Sequence, residues 1–332
     1  MDYGPAPESQ KEAQAWLDGH QRTFGLFIDN AWSEPAELFA STNPADGTQL
    51  AELTQASDAD VERAVAAARR ALPVWQGMGG HGRAKVMYAL ARLLQKHSRL
   101  FAVLETLDNG KTIRETRDID LPLAARHFYH HAGWAQLQSE EFADYRAVGV
   151  VGQIVPWNFP LLMLSWKIAP ALAAGNTVVF KPAEFTSLTA MLFAELCLQA
   201  GVPAGVVNIV HGRGASVGEP LTSHAQVRMV SLTGSVRTGS RIIEGTAESV
   251  KRMHMELGGK APVLIFDDAD IDAAVEGIRA FGFYNAGQDC TAACRLYVQK
   301  GVYQEFVRKL GEAVSSIRCG LPDDPATEMG PL

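Results

Sequence analysis

The chain has 332 residues, of which 47% are hydrophobic and 20% are charged, and its formal net charge is -7. A chain of this length and composition can bury a large apolar core, and we expect a globular protein of two domains. The negative charge and the absence of a lysine- or arginine-rich run argue against nucleic acid or an anionic membrane as partner and favour a small molecule.

The N-terminal segment M-D-Y-G-P-A-P-E-S-Q-K-E lacks the basic and apolar stretches of a leader. The longest apolar run extends from Phe159 to Phe180 and contains Lys167, Pro170 and Gly175, so we do not expect it to span a membrane. These features predict a cytoplasmic location, where the cysteines would stay reduced.

The first third of the chain is predicted to be largely helical. Residues 59–75 and 84–108 repeat apolar side chains at intervals of three and four positions, which is typical of amphipathic helices.

From about residue 147 the pattern changes to short apolar runs that alternate with helical segments. Runs of strand length occur at 147–155, 176–180, 206–210, 228–232 and 261–266. This alternation predicts a parallel, doubly wound sheet. In such sheets the ligand lies beyond the carboxyl ends of the strands.

We place the domain seam near Gly258 and Gly259, directly after the apolar strand K-R-M-H-M-E-L. The last residues, D-D-P-A-T-E-M-G-P-L, are predicted to form a loop. The sequence shows no internal repeat, low-complexity tract or long linker.

Cys290 and Cys294 in G-Q-D-C-T-A-A-C allow several interpretations: two zinc ligands, a disulfide, two small buried side chains, or a nucleophile with a neighbour. No second Cys/His pair has the spacing of a structural zinc site. The polar residues Asn285, Gly287 and Gln288 predict that Cys290 lies on a loop or helix start facing a cleft. Backbone N–H groups there would stabilise a thiolate.

Glu256 ends an apolar strand next to two glycines and is a candidate base for Cys290, although a carboxylate at a strand end is more often only solvated. We expect His254 to point to the opposite face of the strand from Glu256. A Cys–His pair is therefore the weaker alternative.

Two further strand ends carry polar side chains. In V-P-W-N-F-P, Asn158 is suited to hydrogen-bond a developing oxyanion, or it closes its own turn. In V-V-F-K-P-A-E, Lys181 and Glu184 suit the hydroxyl groups of a ribose, or they form a surface ion pair.

The stretches H-G-R-G-A-S-V-G and T-G-S-V-R-T-G each follow a strand and open a helical pattern, as phosphate sites at helix N-termini do. Neither matches G-x-G-x-x-G, so they are weak evidence for a dinucleotide, and most such glycines only serve turns. His127, His130 and His131 have helical spacing without a neighbouring carboxylate, which favours a helix face over metal ligands. We predict no metal site.

In order along the chain, V-P-W-N-F-P, F-K-P-A-E, T-G-S-x-x-x-G, M-E-L-G-G-K and G-Q-D-C-T-A resemble the motifs of the aldehyde dehydrogenase superfamily. The likeness begins near Phe24 and includes L-E-T-L-D-N-G-K. It implies an α/β fold in which a doubly wound, Rossmann-like cofactor domain is followed by an incomplete α/β catalytic domain.

The domains implied by the resemblance are residues 1–130 and 148–257 for NAD binding, 131–147 as a short bridging and oligomerisation segment, and 258–332 as the first part of the catalytic domain.

The resemblance implies oxidation of a small-molecule aldehyde to a carboxylic acid. The thiolate of Cys290 would attack the carbonyl, the Asn158 amide and the Cys290 N–H would hold the oxyanion, and hydride would pass to the nicotinamide. Glu256 would then activate the water that hydrolyses the thioester. Lys181 is counted with these catalytic residues.

The cofactor residues implied by the resemblance lie at strand ends and in glycine-rich loops: Ile154, Trp157, Lys181, Glu184, Gly214, Gly218, Gly234, Ser235 and Leu257. A carboxylate at the adenine ribose repels a 2'-phosphate, so NAD is favoured over NADP.

Met163 and Trp166 match positions that line the family's substrate tunnel. Asp289, directly before Cys290, is unusual in the family and favours a cationic aldehyde such as an aminoaldehyde. Cys294 also departs from the family pattern and is interpreted as a bystander, with a Cys290–Cys294 disulfide as the alternative.

The connection from Trp134 to Val148 is shorter than the family's oligomerisation hairpin, which favours a homodimer over a tetramer. Together with the N-terminal Y-G-P-A-P-E-S, it is similar to the family 16 branch. The sequence stops before the family's E-x-F-G-P segment, so we expect a fragment of a longer gene product. The alternatives are an NAD-binding or structural homologue without turnover, and a CoA-acylating aldehyde dehydrogenase.

Overall fold

The computed structural model describes residues 9–331. The first eight residues of the predicted NAD-binding domain, which include most of Y-G-P-A-P-E-S, lie outside the described residues, as does Leu332.

The strands are β1 (Thr23–Phe24), β2 (Phe27–Ile28), β3 (Ala31–Trp32), β4 (Leu38–Thr42), β5 (Gln49–Thr54), β6 (Val150–Ile154), β7 (Thr177–Lys181), β8 (Val207–Ile209), β9 (Val227–Gly234), β10 (Arg252–Leu257), β11 (Pro262–Ile265) and β12 (Arg295–Val298). The α-helices are α1 (Lys11–Gly19), α2 (Asp58–Gly77), α3 (Gly79–Lys96), α4 (Ser98–Asn109), α5 (Ile113–Glu115), α6 (Leu121–Glu141), α7 (Pro160–Ala173), α8 (Leu188–Gln199), α9 (Glu219–Ser223), α10 (Val236–Thr246), α11 (Ile271–Gly282) and α12 (Tyr303–Ser315). Short π-helical segments lie at Thr116–Asp120 and Gly214–Gly218, and short 3₁₀ segments at Ala247–Ser249 and Tyr284–Gly287.

The main sheet has the strand order β10-β9-β6-β7-β8-β2-β3. The five strands from β10 to β8 are parallel, and β2 and β3 extend the sheet in antiparallel pairing. On β7, Val178 and Phe180 belong to one hydrophobic core, whereas Val179 belongs to the core on the other face. The central strands are mostly apolar because both faces of the sheet are buried. The predicted α/β fold with a parallel sheet is confirmed.

The first third of the chain contains more strand than predicted. Residues 23–54 form β1 to β5, of which β1, β5 and β4 make a separate sheet. Strands of two residues are too short to show a period in the sequence. The helical pattern at 84–108 is divided between α3 and α4, because His97 leaves the helical conformation with φ -100° and ψ 17°.

The predicted boundary between residues 130 and 131 lies inside α6 (Leu121–Glu141). Ala132 and Ala135 are buried in the same core as the helices before them. The first eleven residues of the predicted bridging segment are therefore helical. Only residues 142–147 remain as a connection, and they contain no strand.

After Gly258 and Gly259 the chain forms a second small sheet of β11 and β12, on which α11 and α12 pack. Ile265, Val275 and Phe306 contribute to a core of their own. This separate core supports the predicted seam, and the domain limits stay a prediction. Within residues 9–331, no helix combines the length and the apolar character needed to cross a membrane.

Candidate active site

The carboxyl ends of β9 and β10, the turn after β6 and the loop before β12 surround a cleft of about 260 Å³, here named the Cys290 cleft. Its lining consists of Pro156, Trp157, Asn158, Phe159, Met163, Thr233, Gly234, Ser235, Glu256, Leu257, Gly258, Lys260, Gly287, Gln288, Asp289 and Cys290. The structure therefore brings together Cys290, Glu256 and Asn158, three of the four residues predicted to be catalytic.

Cys290 lies in a turn and is exposed. Partial burial and the charge of Asp289 raise the pKa of its thiol, with a smaller contribution from the charge of Glu256 and an opposing one from the backbone N–H of Cys290. Burial and the charge of Asp289 therefore oppose the expected stabilisation of the thiolate by the backbone N–H of Cys290. The thiol therefore needs a base or a cationic ligand before it can act as a nucleophile.

Asn158 is fixed by the loop that carries Cys290. Nδ2 of Asn158 donates to the backbone carbonyl oxygen of Gln288 at 2.7 Å. The backbone carbonyl oxygen of Asn158 accepts from Nδ2 of Asn285 at 2.7 Å. An amide carries two N–H groups, so the bond to Gln288 orients the side chain and leaves one N–H for a substrate oxygen.

Glu256 and His254 lie on the same face of β10, contrary to the prediction. His254 Nε2 and Glu256 Oε1 are 3.5 Å apart. Side chains two residues apart in a strand point the same way, and that period contradicts the expectation of opposite faces. His254 does not line the Cys290 cleft but lies beside the carboxylate that does.

A second cleft, of about 220 Å³, is here named the Lys181 cleft. It is lined by Ile154, Lys181, Gly214, Ala215, Gly218, Glu219, Thr222, Ser223, Thr238, Arg241, Ile242 and Gly245. Four predicted cofactor residues meet here: Ile154, Lys181, Gly214 and Gly218. Lys181 is thus separated from the other predicted catalytic residues, since it is absent from the lining of the Cys290 cleft.

The other predicted cofactor residues divide between the Cys290 cleft and its surroundings. Trp157, Gly234, Ser235 and Leu257 line the Cys290 cleft. Glu184 lines neither cleft, but its Oε2 lies 3.6 Å from Lys181 Nζ.

Met163 and Asp289, two of the three residues predicted to bind substrate, line the Cys290 cleft. Trp166 does not: it is 45% exposed and its ring packs against His127 at 5.4 Å.

The N-terminus of α10 joins the two clefts. Ser235, its N-cap, accepts from Thr238 N at 3.2 Å; Ser235 lines the Cys290 cleft and Thr238 lines the Lys181 cleft. A helix N-terminus favours an anion such as a pyrophosphate. Lys181 Nζ donates to the carbonyl of Pro182 at 3.1 Å and so keeps donors for ribose hydroxyls. This donor set fits a dinucleotide that extends over both clefts.

The four cysteines are all free, and Cys290 and Cys294 are both exposed. Across residues 9–331, no group of three or more histidine, cysteine, aspartate or glutamate side chains is arranged to hold a metal ion.

A sequence model of the aldehyde dehydrogenase family matches residues 32–332. The chain belongs to this family. The putative aldehyde dehydrogenase DhaS of Bacillus subtilis (strain 168) is 41% identical over 336 residues, which cover 97% of this chain and 67% of DhaS.

Two solved aldehyde dehydrogenase-like structures illustrate the range of cofactors among the neighbours. The NAD+ complex of an aldehyde dehydrogenase from Bacillus cereus has a TM-score of 0.91 at 37% identity and covers 97% of this chain and 68% of its own. An E. coli NADP-dependent enzyme has a TM-score of 0.89 at 38% identity and covers 95% of this chain and 68% of its own.

Across eight curated relatives at 39 to 42% identity, the chain spans 62 to 67% of the relative's length. The activity and partners of a complete aldehyde dehydrogenase are therefore proposals for this chain.

Several residues of this aldehyde dehydrogenase site were missed by the sequence analysis. Thr233 and Lys260 line the Cys290 cleft, and Thr238 and Arg241 line the Lys181 cleft. Thr238 and Arg241 follow Ser235 at three and six positions, a helical spacing that places them on one face of α10. From that spacing, the sequence analysis could have predicted that Thr238 and Arg241 lie on the same side of the helix as Ser235.

A cluster of buried charges lies beneath the Cys290 cleft. Lys111 Nζ and Asp120 Oδ2 are 2.5 Å apart, and neither side chain is exposed. Lys111 Nζ also lies 3.9 Å from the ring centre of Phe159, a residue that lines the cleft. Burial raises the pKa of Asp120, against the opposing charge of Lys111. Each of these two buried charged groups is thus the ion-pair partner of the other.

Other side chains of this cluster hold the backbone of both loops of the site. Asn109 Nδ2 donates to the Trp157 carbonyl at 2.7 Å, and Glu105 Oε1 accepts from Leu161 N at 3.2 Å. Glu115 Oε1 accepts from Asn285 N at 2.9 Å. Burial raises the pKa of Glu105 to about 8, so this carboxyl is mostly protonated at neutral pH.

We expect the Lys111→Met substitution to lower the free energy of unfolding by about 3–5 kcal/mol, because it removes the positive charge that balances the buried Asp120 carboxylate. Chemical denaturation followed by circular dichroism measures this change. Arg308→Met, which removes the exposed pair between Arg308 and Glu312, is the matched control and should cost less than about 1 kcal/mol. Equal costs for the two variants would contradict a special role of the buried pair.

Proposed function

We propose that this chain carries the catalytic cysteine, the base and most of the cofactor site of an NAD-dependent aldehyde dehydrogenase that converts an aldehyde to a carboxylic acid. The observation that carries the proposal is the common cleft of Cys290, Glu256 and Asn158 at the carboxyl edge of a parallel sheet. Membership of the aldehyde dehydrogenase family supports the same reaction.

In the proposed first step, the Cys290 thiol loses its proton to water in the cleft, and its sulfur forms a bond to the aldehyde carbon while the carbonyl double bond opens to an oxyanion. The free N–H of Asn158 and the backbone N–H of Cys290 donate to the resulting oxyanion. A bound nicotinamide dinucleotide would accept the hydride from that carbon, which leaves a thioester on Cys290. The ribose and pyrophosphate groups of the dinucleotide would be held by Lys181, Ser235 and Thr238.

In the proposed second step, Glu256 accepts a proton from water as the water oxygen attacks the thioester carbon. The carbon–sulfur bond then breaks, the acid is released, and Cys290 is restored. The Glu256 side chain is 58% exposed, so water reaches it directly.

The proposed cofactor preference is NAD over NADP. Support comes from Glu184, whose carboxylate does not line the Lys181 cleft but lies 3.6 Å from Nζ of Lys181, which does. At about 4 Å, a phosphate charge and this carboxylate would repel each other by about 4 kcal/mol at an effective dielectric constant of about 20.

The proposed substrate is a cationic aldehyde, such as an aminoaldehyde. Asp289 Oδ1 accepts from both the N–H and the hydroxyl of Thr291 at 2.9 Å. Its second oxygen provides a negative charge at the lining of the Cys290 cleft.

We further propose a cytoplasmic, homodimeric protein. Support for the location comes from three exposed free cysteines, which persist in a reducing compartment. Support for the dimer comes from residues 142–147, which are too short for an oligomerisation hairpin.

We expect Cys290→Ala to abolish aldehyde-dependent formation of NADH. Glu256→Gln should retain one rapid NADH equivalent per site, because a cationic ligand in the cleft favours the Cys290 thiolate without Glu256. The steady-state rate should fall about 100-fold or more, because thioester hydrolysis still needs the base. Stopped-flow absorbance of NADH measures both phases.

Asp323→Asn changes a carboxylate that lines neither cleft, so it is the control and should leave both phases intact. Product analysis with and without coenzyme A separates hydrolysis from acyl transfer. Dinucleotide binding without any NADH formation would instead identify a binding homologue without turnover.

We expect Glu184→Gln to raise the ratio of NADP to NAD kcat/KM by about tenfold or more, since it removes the charge opposed to a 2'-phosphate. Steady-state kinetics with the two dinucleotides test this. Glu219→Gln, which changes another carboxylate at the Lys181 cleft, is the matched control. A larger change for Glu219→Gln would place the 2'-hydroxyl elsewhere.

We expect Asp289→Asn to lower kcat/KM for aminoaldehydes about tenfold relative to alkyl aldehydes of equal length, because the amide keeps the bonds to Thr291 and removes only the charge. The charge of Asp289 also raises the pKa of Cys290, so both substrates gain from its removal and only their ratio reports recognition. An unchanged ratio rules out Asp289 as the selector.

A further inference from the structure

A continuous line of polar contacts runs from the interior of the main domain to Glu256. Lys167 Nζ donates to Ser231 Oγ at 2.8 Å, Ser231 Oγ lies 3.0 Å from His254 Nδ1, and His254 Nε2 lies 3.5 Å from Glu256 Oε1. None of Lys167, Ser231 and His254 lines either cleft. Only the last member of the line, Glu256, reaches the proposed reaction.

The fold aligns these side chains through strand register. β10 and β9 are parallel neighbours in which His254 pairs with Ser231 and Glu256 pairs with Thr233. Lys167 comes from α7, packed on one face of the sheet, and is buried along with Ser231. His254 and Glu256 share a face because they are two residues apart. The contacts therefore follow from elements that are fixed by the core.

The line has a direction because a protonated lysine can only donate. Burial lowers the pKa of Lys167 to about 8, and the charge of Glu256 opposes that shift, so Lys167 is mostly protonated at pH 7. Ser231 accepts from Lys167 with one lone pair, which leaves its single hydrogen available to His254 Nδ1 at 3.0 Å, and the proposal takes this direction. A neutral His254 then carries its proton on Nε2, the nitrogen that faces Glu256.

We propose that His254 is a positioning residue for Glu256, held by Lys167 and Ser231 in the tautomer that carries its proton on Nε2. In this arrangement His254 donates toward one oxygen of the carboxylate and leaves the other oxygen to accept a proton from water. The inference rests on the proposed function of Glu256 as the base for thioester hydrolysis. Such supporting bonds fix both the orientation and the proton position of a catalytic group.

The tautomer is measurable without any cofactor or substrate. In the full 332-residue chain labelled with ¹⁵N-histidine, two-dimensional ¹H–¹⁵N spectra at pH 7 to 8 distinguish the two neutral tautomers. The His254 signals are those missing from the His254→Gln spectrum. We expect a neutral ring protonated on Nε2 with Nδ1 as acceptor, and a mixture of tautomers in Ser231→Ala. A proton on Nδ1, or no change in Ser231→Ala, would overturn the proposal.

Pre-steady-state kinetics test the consequence for Glu256. His254→Leu removes the donor, and we expect the NADH burst to keep its amplitude and rate while the steady-state rate falls about tenfold. His254→Gln retains an N–H donor near the position of Nε2 and should recover most of that loss. Equal losses in the two variants, or a loss confined to the burst, would refute a positioning role.

His224 offers a matched control, because His224 Nε2 lies 2.8 Å from Glu62 Oε2 and neither residue lines a cleft. His224→Leu should leave both kinetic phases unchanged. If the wild-type chain forms no NADH, the proposed function fails while the tautomer measurement still decides whether the Lys167–Ser231–His254 line exists. If the wild-type chain forms NADH and His254→Leu keeps the same steady-state rate as His224→Leu, the positioning role of His254 fails while the proposed function stands.

Discussion

The buried pair of Lys111 and Asp120 is the constraint on which the geometry of the Cys290 cleft depends. Two opposite charges without contact to solvent must stay together, because separating them in the interior costs more than any local rearrangement gains. Phe159 packs on the lysine, and Tyr284 donates to Asp120 at 3.4 Å. The loop after β6 and the loop before Cys290 are therefore both attached to one fixed point.

This attachment explains how the loop before Cys290 keeps an unfavourable backbone. Asn285 and Ala286 have φ values of 50° and 53°, a left-handed conformation that side chains disfavour. Asn285 is held there by Glu115 through its N–H and by the Asn158 carbonyl through its side chain. The hydrogen bonds offset the strain, and they place Gln288, Asp289 and Cys290 against Asn158.

The electrostatics of the cleft explain why the chemistry needs several groups. Partial burial, with the charges of Asp289 and Glu256, raises the pKa of the Cys290 thiol, although the same charges serve substrate recognition and water activation in the proposed reaction. Because carboxylate charges disfavour the thiolate, a cationic group in the cleft would favour it.

The sequence by itself determined the family, the parallel sheet and the approximate position of each strand end, because buried parallel strands are continuous apolar runs and polar residues stand directly after them. Local spacing did not predict the two-residue strands or the helix that crosses residue 130. The face shared by His254 and Glu256 was predictable, because side chains two residues apart in a strand point the same way, but the sequence analysis placed them on opposite faces. Only the tertiary structure decided which distant residues meet. Lys167, Ser231 and Glu256 are joined by strand register and helix packing, and neither is encoded in the spacing of neighbouring residues.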